Sequence, residues 1–155
     1  MEDVLFEQKK IQVFIKRDDL IHPIVSGNKW RKLKEYLLIA QKEQVKGIIS
    51  FGGAYSNHIY ALAFVCKELE IPLHLIIRGE ELSAHSNQYL SEINSWGIHL
   101  HFISREAYRN KNIPNEINQI DHLIIPEGGF SKIGIESMKG LSSELKDPFD
   151  YIFTA

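Results

Sequence analysis

The chain has a single cysteine and no long apolar run. Cys66, alone among 155 residues, cannot form an internal disulfide, and its place on the apolar face of a helical pattern favours a packed, reduced thiol. No stretch approaches the roughly 18 apolar residues that a spanning helix requires. The first ten residues carry acids where a secretory signal carries bases. We therefore expect a cytoplasmic protein that is not associated with a membrane.

A strong charge of one sign is also missing. The formal net charge is -2 and the isoelectric point is near 6.4, so electrostatics give no reason to expect nucleic acid as a partner. The sequence contains no nucleophile elbow, Walker loop or dinucleotide fingerprint. His99 and His101 share one face of a predicted strand, but no third ligand follows at a useful spacing, and we expect no metal site.

The chain does contain a regular alternation of strand and helix patterns, which is typical of an α/β fold with a largely parallel sheet. Its hydrophobic content of 44% is enough for one ordinary domain core. Strands are predicted at 11–15, 47–50, 73–77, 99–103, 123–125 and 150–154. Helices are predicted at 29–42, from Ser56 or Asn57 to before Pro72, at 85–96 and at 136–145, with a short helix and irregular chain over 105–121.

The most informative segment is Ser26–Leu33, SGNKWRKL, which begins a predicted helix. A lysine at a helix N-terminus is electrostatically misplaced, because the helix dipole favours anions there. Lys29 therefore needs a compensating phosphate or carboxylate nearby. A lysine in this position, backed by small residues, suits a Schiff base with a planar cofactor, although a solvated surface lysine is the ordinary alternative.

A second segment, Phe51–His58, FGGAYSNH, comes between a predicted strand and the next helix. Ser56 and Asn57 are ordinary helix caps, and behind two glycines they also form an anion cradle suited to a substrate carboxylate. The glycines at 128 and 129 are interpreted as a turn that could let backbone approach a flat ring. Asp18 and Asp19 could orient a base or could simply be solvated.

These segments, together with Ile15–Leu20 (IKRDDL) and Ile125–Gly129 (IPEGG), resemble the pyridoxal-phosphate enzymes of the 1-aminocyclopropane-1-carboxylate deaminase and D-cysteine desulfhydrase family. The resemblance implies a tryptophan-synthase-β-like α/β fold, pyridoxal-phosphate fold type II. Residues 1–33 would begin the large domain, 34–126 would form the small domain, and 127–155 would return to the large domain.

The resemblance also implies roles for particular residues. Lys29 matches the lysine that binds pyridoxal 5'-phosphate and later moves a proton. Asn57 matches the asparagine that bonds the cofactor's phenolic oxygen. Ser56 matches a serine near the substrate carboxylate that has been discussed as a catalytic nucleophile or base, and His58 would complete the substrate-binding run. The implied reaction converts a small amino acid into a 2-oxo acid and ammonia.

The resemblance covers about the N-terminal half of such enzymes. A glycine- and threonine-rich phosphate loop, expected after the segment at 150–154, is absent, so we expect the isolated chain to bind the cofactor weakly and to be inactive. Two alternatives stay open: a non-catalytic α/β interaction module, and one half of a split enzyme. The resemblance suggests a homodimer for a full-length member.

Overall fold

One four-stranded parallel sheet organises the computed structural model, which describes residues 8–146 and 148–153. Its strands lie in the order β3-β2-β1-β4 and comprise β1 (Gly47–Gly52), β2 (Leu73–Arg78), β3 (His99–Ile103) and β4 (His122–Ile125). β1 is buried at every residue, which explains why its sequence is a continuous apolar and small-residue run rather than an alternation. The α/β fold and parallel sheet are confirmed.

Within the part of the chain that the structure describes, six complete α-helices accompany the sheet: α1 (Gly27–Glu43), α2 (Asn57–Glu68), α3 (Gln88–Ser95), α4 (Arg105–Arg109), α5 (Lys132–Ser137) and α6 (Gly140–Glu144). Short 3₁₀ turns occur at Asp18–Leu20 and Glu127–Gly129. None of the helices in the described ranges is both long and apolar enough to cross a membrane.

The two faces of the sheet carry different cores. On one face, Ile48, Leu75 and Ile125 pack with the apolar stripes of α1, α2 and α3. On the other face, Ile49, Phe51 and Ile76 pack with Tyr108 of α4 and with Ile117. Because side chains alternate along a strand, the side chain of Ser50 points into the first core, and the side chain of Arg78 lies on the opposite face of the sheet.

Two predicted strands are wrong. Residues 11–15 form no strand, and the side chains of Ile11, Val13, Phe14 and Ile15 are exposed. Residues 150–153 are likewise irregular and exposed, with Phe153 exposed by 92%, while residue 154 lies outside the described residues. Both segments have strand-forming composition, but a strand also needs a neighbour to accept its backbone hydrogen bonds, and no described strand pairs with either.

The remaining boundaries differ in smaller ways. The helix predicted at 136–145 is two short helices, α5 and α6, and α3 begins three residues later than predicted because Asn87 caps it. Gly97 follows α3 with a left-handed φ of +77°, as expected for the residue that ends a helix. The short helix and irregular chain expected after residue 105 are present as α4 and the coil that follows it.

Candidate active site

The segments Ser26–Leu33 and Phe51–His58 both reach one cavity of about 370 Å³, which lies beside the carboxyl end of β1. Lys29, from the first turn of α1, and Asn57, the first residue of α2, both contribute to its wall. The cavity lies where ligands bind in open parallel α/β sheets. Its lining is Asp19, Pro23, Ile24, Ser26, Gly27, Asn28, Lys29, Asn57, Tyr60 and Tyr89.

Lys29 is half-buried at the positive end of α1. The first turn of this helix contains no acidic residue that would offset the lysine charge. Gly27 begins the helix with a φ of +57°, a left-handed conformation that other residues adopt only with strain. This turn of the backbone brings Lys29 to the cavity, and the local charge favours an anionic ligand there.

The helix N-termini at the cavity have free donors. Ser26 precedes α1 and Ser56 precedes α2, yet neither side chain caps its helix. Elsewhere, Asn87, Ser104 and Ser131 do cap, each accepting a hydrogen bond from a backbone N–H in the first turn. The uncapped N–H groups of α1 and α2 can therefore bind a carboxylate or phosphate.

Gly52 allows α2 to begin this close to the sheet. A Cβ added at Gly52 would overlap Ile59 Cγ2 and would lie 3.3 Å from Ser56 Oγ. Ile59 is itself 1% exposed and packed in the first core. The glycine therefore sets the position of Ser56 and Asn57 through a steric requirement rather than through flexibility.

The side chain of His58 points into the protein interior and does not line the cavity. The ring is 5% exposed, and its Nε2 lies 3.1 Å from Ser50 Oγ. Because the Ser50 hydroxyl donates to the Ile125 carbonyl at 2.9 Å, its oxygen accepts from His58, which assigns the proton to Nε2. Burial, followed by the charge of Lys32, lowers the pKa of His58 to about 4, so the ring is neutral at pH 7.

The glycine turn at 128 and 129 packs against this histidine. Gly128 and Gly129 both have left-handed φ values, of 65° and 64°. A Cβ at Gly129 would lie 3.4 Å from Lys32 Cβ and 3.8 Å from His58 Cε1. The turn therefore supports α1 and α2 from beneath the cavity, and the cavity lining does not include it.

Asp18 and Asp19 have different environments. Asp18 accepts hydrogen bonds from Arg31 and Lys16, and these bonds lower its pKa to about 2. Asp19 pairs with Arg17 at the surface and also lines the cavity. Asp18 thus joins the N-terminal segment to α1. Of the two aspartates, only Asp19 lines the cavity.

Sequence reasoning missed the aromatic wall of the cavity. Tyr60 and Tyr89 meet edge to face with ring centroids 4.8 Å apart. The Tyr60 hydroxyl donates to Glu92 at 2.6 Å, and burial together with that contact raises its pKa to about 12. Tyr60 could have been predicted from its spacing, because it lies one helical turn after Ser56 and therefore on the same face of α2. Tyr89 belongs to α3, and nothing in the sequence indicates that it lies near Ser56.

The described residues offer no cluster of three or more histidine, cysteine or acidic side chains suited to a metal. They do fit pyridoxal phosphate in the chemistry of their donors. A primary amine and an amide line one cavity, hydroxyls and free backbone N–H groups border it, and aromatic rings close one side. The parallel α/β fold is of the class found in fold type II pyridoxal-phosphate enzymes, and the donors of the cavity fit that cofactor.

Comparisons with known proteins agree with this class. The chain is 28% identical over 153 residues to the bifunctional D-cysteine desulfhydrase/1-aminocyclopropane-1-carboxylate deaminase of Arabidopsis thaliana, covering 90% of this chain and 38% of that protein. It is 31% identical to a putative 1-aminocyclopropane-1-carboxylate deaminase of Pyrococcus furiosus, covering 87% and 42%. It is 28% identical to a D-cysteine desulfhydrase of Klebsiella pneumoniae, covering 88% and 45%.

Solved structures show the same relationship. A homologue of 1-aminocyclopropane-1-carboxylate deaminase superposes with a TM-score of 0.70 and 25% identity, over 94% of this chain and 47% of that one. An L-serine ammonia-lyase from Rhizomucor miehei superposes with a TM-score of 0.60 over 92% and 43%; at 15% identity it supports the fold alone. No family model matches. The family resemblance inferred from the motifs is confirmed, and the chain spans less than half the length of these relatives.

Proposed function

We propose that this chain supplies the cofactor lysine of a pyridoxal-phosphate-dependent enzyme that acts on a small amino acid. The reaction would be that of a 1-aminocyclopropane-1-carboxylate deaminase or a D-cysteine desulfhydrase, giving a 2-oxo acid and ammonia, with sulfide also released from cysteine. The observation that carries the proposal is the shared cavity of Lys29 and Asn57, two residues from separate helices. The names of the relatives support the substrate class.

In this proposal Lys29 would hold the cofactor through Nζ, and Asn57 would donate a hydrogen bond from its amide to the cofactor's phenolic oxygen. When bound, the cofactor withdraws electrons from the bonds of the substrate α-carbon. Ser56 Oγ and the free N–H groups in the first turn of α2 would bind the substrate carboxylate. Lys29 Nζ would also carry a proton to or from the substrate carbon.

His58 would act in binding through its backbone N–H, which lies in the first turn of α2. Its neutral side chain, bonded to Ser50, orients that turn. Tyr60 and Tyr89 would exclude water from one side of the cavity. The division into residues 1–33, 34–126 and 127–155 stays a prediction, as does a homodimer for a full-length enzyme.

The proposal is tested by covalent labelling. The purified chain is incubated with pyridoxal phosphate and reduced with borohydride, and the modified lysines are mapped by mass spectrometry. We expect substoichiometric labelling, concentrated at Lys29, without turnover of D-cysteine or 1-aminocyclopropane-1-carboxylate. K29A should abolish the concentrated label, and K34A, which removes an exposed lysine of the same helix, should leave it unchanged.

The outcomes separate the parts of the proposal. Labelling spread evenly over the lysines and unchanged by K29A would contradict the cofactor role. Stoichiometric labelling at Lys29 with turnover would support the role and contradict the expectation that the isolated chain is inactive.

A second candidate function is one half of a split enzyme. The exposed apolar side chains at 11–15 and 149–153 favour it, because such surface is ordinarily covered by another part of a protein. Sedimentation velocity tests this reading. Self-association or aggregation would support it, whereas a stable, cooperatively folded monomer would favour a non-catalytic module.

We also propose a cytoplasmic location. Cys66 is fully buried in the first core, and its burial raises the pKa of the thiol to about 12, so it is an unreactive packing residue that suits a reducing compartment.

A further inference from the structure

A second, larger cavity of about 610 Å³ lies against the loop that follows β1, residues Gly53–Ser56, here called the glycine loop. It opens beside the carboxyl end of β2, on the sheet face that carries α4, and it shares no lining residue with the Lys29 cavity. Nothing in the proposed function uses it. Its lining is Gly53, Ala54, Tyr55, Arg78, Glu81, Leu82, Arg105, Tyr108, Arg109, Lys111 and Glu127.

The lining of this cavity has an excess of positive charge. It contains four cationic side chains and two carboxylates. Arg105 pairs with Glu81 at 2.5 Å, and Lys111 pairs with Glu127 at 2.7 Å. Arg78 and Arg109 make no ion pair with any described residue. Because arginine does not lose its proton in proteins, two positive charges at the cavity have no directly paired carboxylate among the described residues, although the Glu127 carboxylate is near enough to interact with the charge of Arg78.

Arg78 is held over the floor of the cavity. Its guanidinium carbon lies 5.8 Å from the centroid of the Tyr108 ring, within the range of a cation–π contact. A Cβ added at Gly53 would lie 3.7 Å from Arg78 Nη2, so the guanidinium extends across the glycine loop. A Cβ at position 53 would make ordinary van der Waals contact with the guanidinium, which places the arginine directly beside the loop.

Tyr108 supplies a hydroxyl donor whose hydrogen bonding is incomplete. The residue is 4% exposed, and its hydroxyl makes no hydrogen bond of ordinary geometry with a described residue. Burial, and then weak hydrogen bonding to the Glu127 carboxylate, raise the pKa of Tyr108 above its ordinary value, so the hydroxyl keeps its proton. A buried donor without a well-aligned partner is rare in native proteins and leaves room for a ligand or a water molecule.

We propose that this cavity binds the oxyanion of a small ligand, a carboxylate or a phosphate, through Arg78, Arg109 and the Tyr108 hydroxyl. Planar guanidinium groups match the two oxygens of such an anion, and a neutral hydroxyl completes the set of donors. The site is independent of the cofactor. Because Gly53–Tyr55 leads directly into Ser56, an anion bound here would contact the loop that orders the Lys29 cavity.

The anion has two possible sources, which direct titrations distinguish. Inorganic phosphate and succinate are each titrated into the 155-residue chain at constant ionic strength, with binding followed by calorimetry and by backbone amide NMR shifts. Saturation by phosphate indicates a site for a free anion. Saturation by succinate alone indicates a site for the acidic group of an organic ligand. In either case the shifts should centre on Gly53, Arg78 and Tyr108.

Matched variants separate a built site from general charge attraction. The double variant R78Q/R109Q should weaken binding at least tenfold, while K42Q/K67Q, which removes the same charge from exposed helix positions, should change it less than twofold. Y108F should weaken binding several-fold while leaving the NMR spectrum folded. K29A can weaken anion binding in the lysine cavity but should leave the anion-dependent shifts of Gly53, Arg78 and Tyr108 unchanged, so that this proposal and the cofactor proposal fail separately.

The site is overturned if neither anion saturates a folded chain, or if the two double variants lose binding equally.

Discussion

Arg31 binds Asp18 through two hydrogen bonds, from Nε to Oδ2 at 2.8 Å and from Nη2 to Oδ1 at 3.1 Å. The same guanidinium donates two more to Glu144, 113 residues further along the chain. Lys16 bridges the two carboxylates. This network joins the segment before α1, α1 itself and α6, and it does so beside the lysine cavity.

Neighbouring aspartates should respond differently to the same substitution. D18N removes the charge that faces Arg31, whose side chain is only 10% exposed, and should lower the free energy of unfolding by about 1 to 2 kcal/mol. D19N breaks a pair whose two side chains are both more than half exposed and should have no measurable effect. Urea unfolding followed by circular dichroism measures both. A D18N variant that is as stable as wild type would show that the network adds no stability.

His58 should make the protein sensitive to mild acid. Its folded pKa, about 4, lies below the ordinary value of 6.5, so the unfolded chain binds the proton more readily. The contribution of neutral His58 is intact above pH 6.5 and is lost as the pH falls toward 4, by on the order of 3 kcal/mol in total.

This sensitivity is measured as the free energy of unfolding at several pH values. H58Q should flatten the curve between pH 4 and pH 6.5 relative to wild type, whatever its effect on stability at pH 7. H85Q, at an exposed position, should keep the wild-type slope. An unchanged slope in H58Q would exclude this histidine as the acid-sensitive group.

Gly52 should tolerate no side chain. In G52A the new Cβ would overlap Ile59, which is packed in the first core and cannot retreat, so we expect a loss of about 1 to 3 kcal/mol. G140A is the matched control, because a Cβ there meets nothing within 4 Å in the helix α6. Thermal unfolding compares them. The NMR signals of Ser56 and Asn57 should shift in G52A alone.

A row of histidines crosses the second sheet face at the amino ends of the strands. His74 stacks on His99 with ring centroids 4.9 Å apart, and its Nδ1 lies 3.0 Å from His101 Nε2. His122 approaches the same ring over Gly47, where a Cβ would lie 2.9 Å from His122 Cδ2. Burial, followed by the charges of its three histidine neighbours, lowers the pKa of His74.

Removing one neighbour should therefore raise the pKa of His74 toward its ordinary value. In H99N the ring that stacks on His74 and its charge are lost, while burial by the rest of the sheet is kept. Titration of the imidazole NMR signals checks this, with H85N as a control that should leave His74 unchanged. A constant His74 pKa in H99N would show that the charge of His99 does not contribute to the shift.

The strands and most helices were predictable from local pattern. β1 is a run of buried residues, and α1 has apolar side chains at helical spacing. Both patterns can be recognised within a short segment, because they depend only on which side of that segment faces a core. The segments at 11–15 and 150–153 show the limit of this reasoning. Their composition suits a strand, but no described strand pairs with them.

Some residues of the candidate site could also be predicted from the sequence, and others could not. Lys29, Ser56 and Asn57 could be selected from sequence because the residue types and glycines around them form recognisable runs. Tyr89, Arg78 and Tyr108 could not, since each comes from a segment whose own pattern says only that it is a helix or a strand. Their proximity to the glycine loop results from the order of strands in the sheet.

By itself, the sequence determined the α/β class, the family resemblance and the lysine and asparagine of the candidate site, because periodicity and short motifs are properties of neighbouring residues. Only the tertiary structure decided that Arg31 meets Glu144, that His58 turns inward to Ser50, and that Arg78 and Arg109, which form no ion pair with a described residue, line a second cavity. Those contacts join segments far apart in the chain, and packing and burial select them only after the sheet has formed.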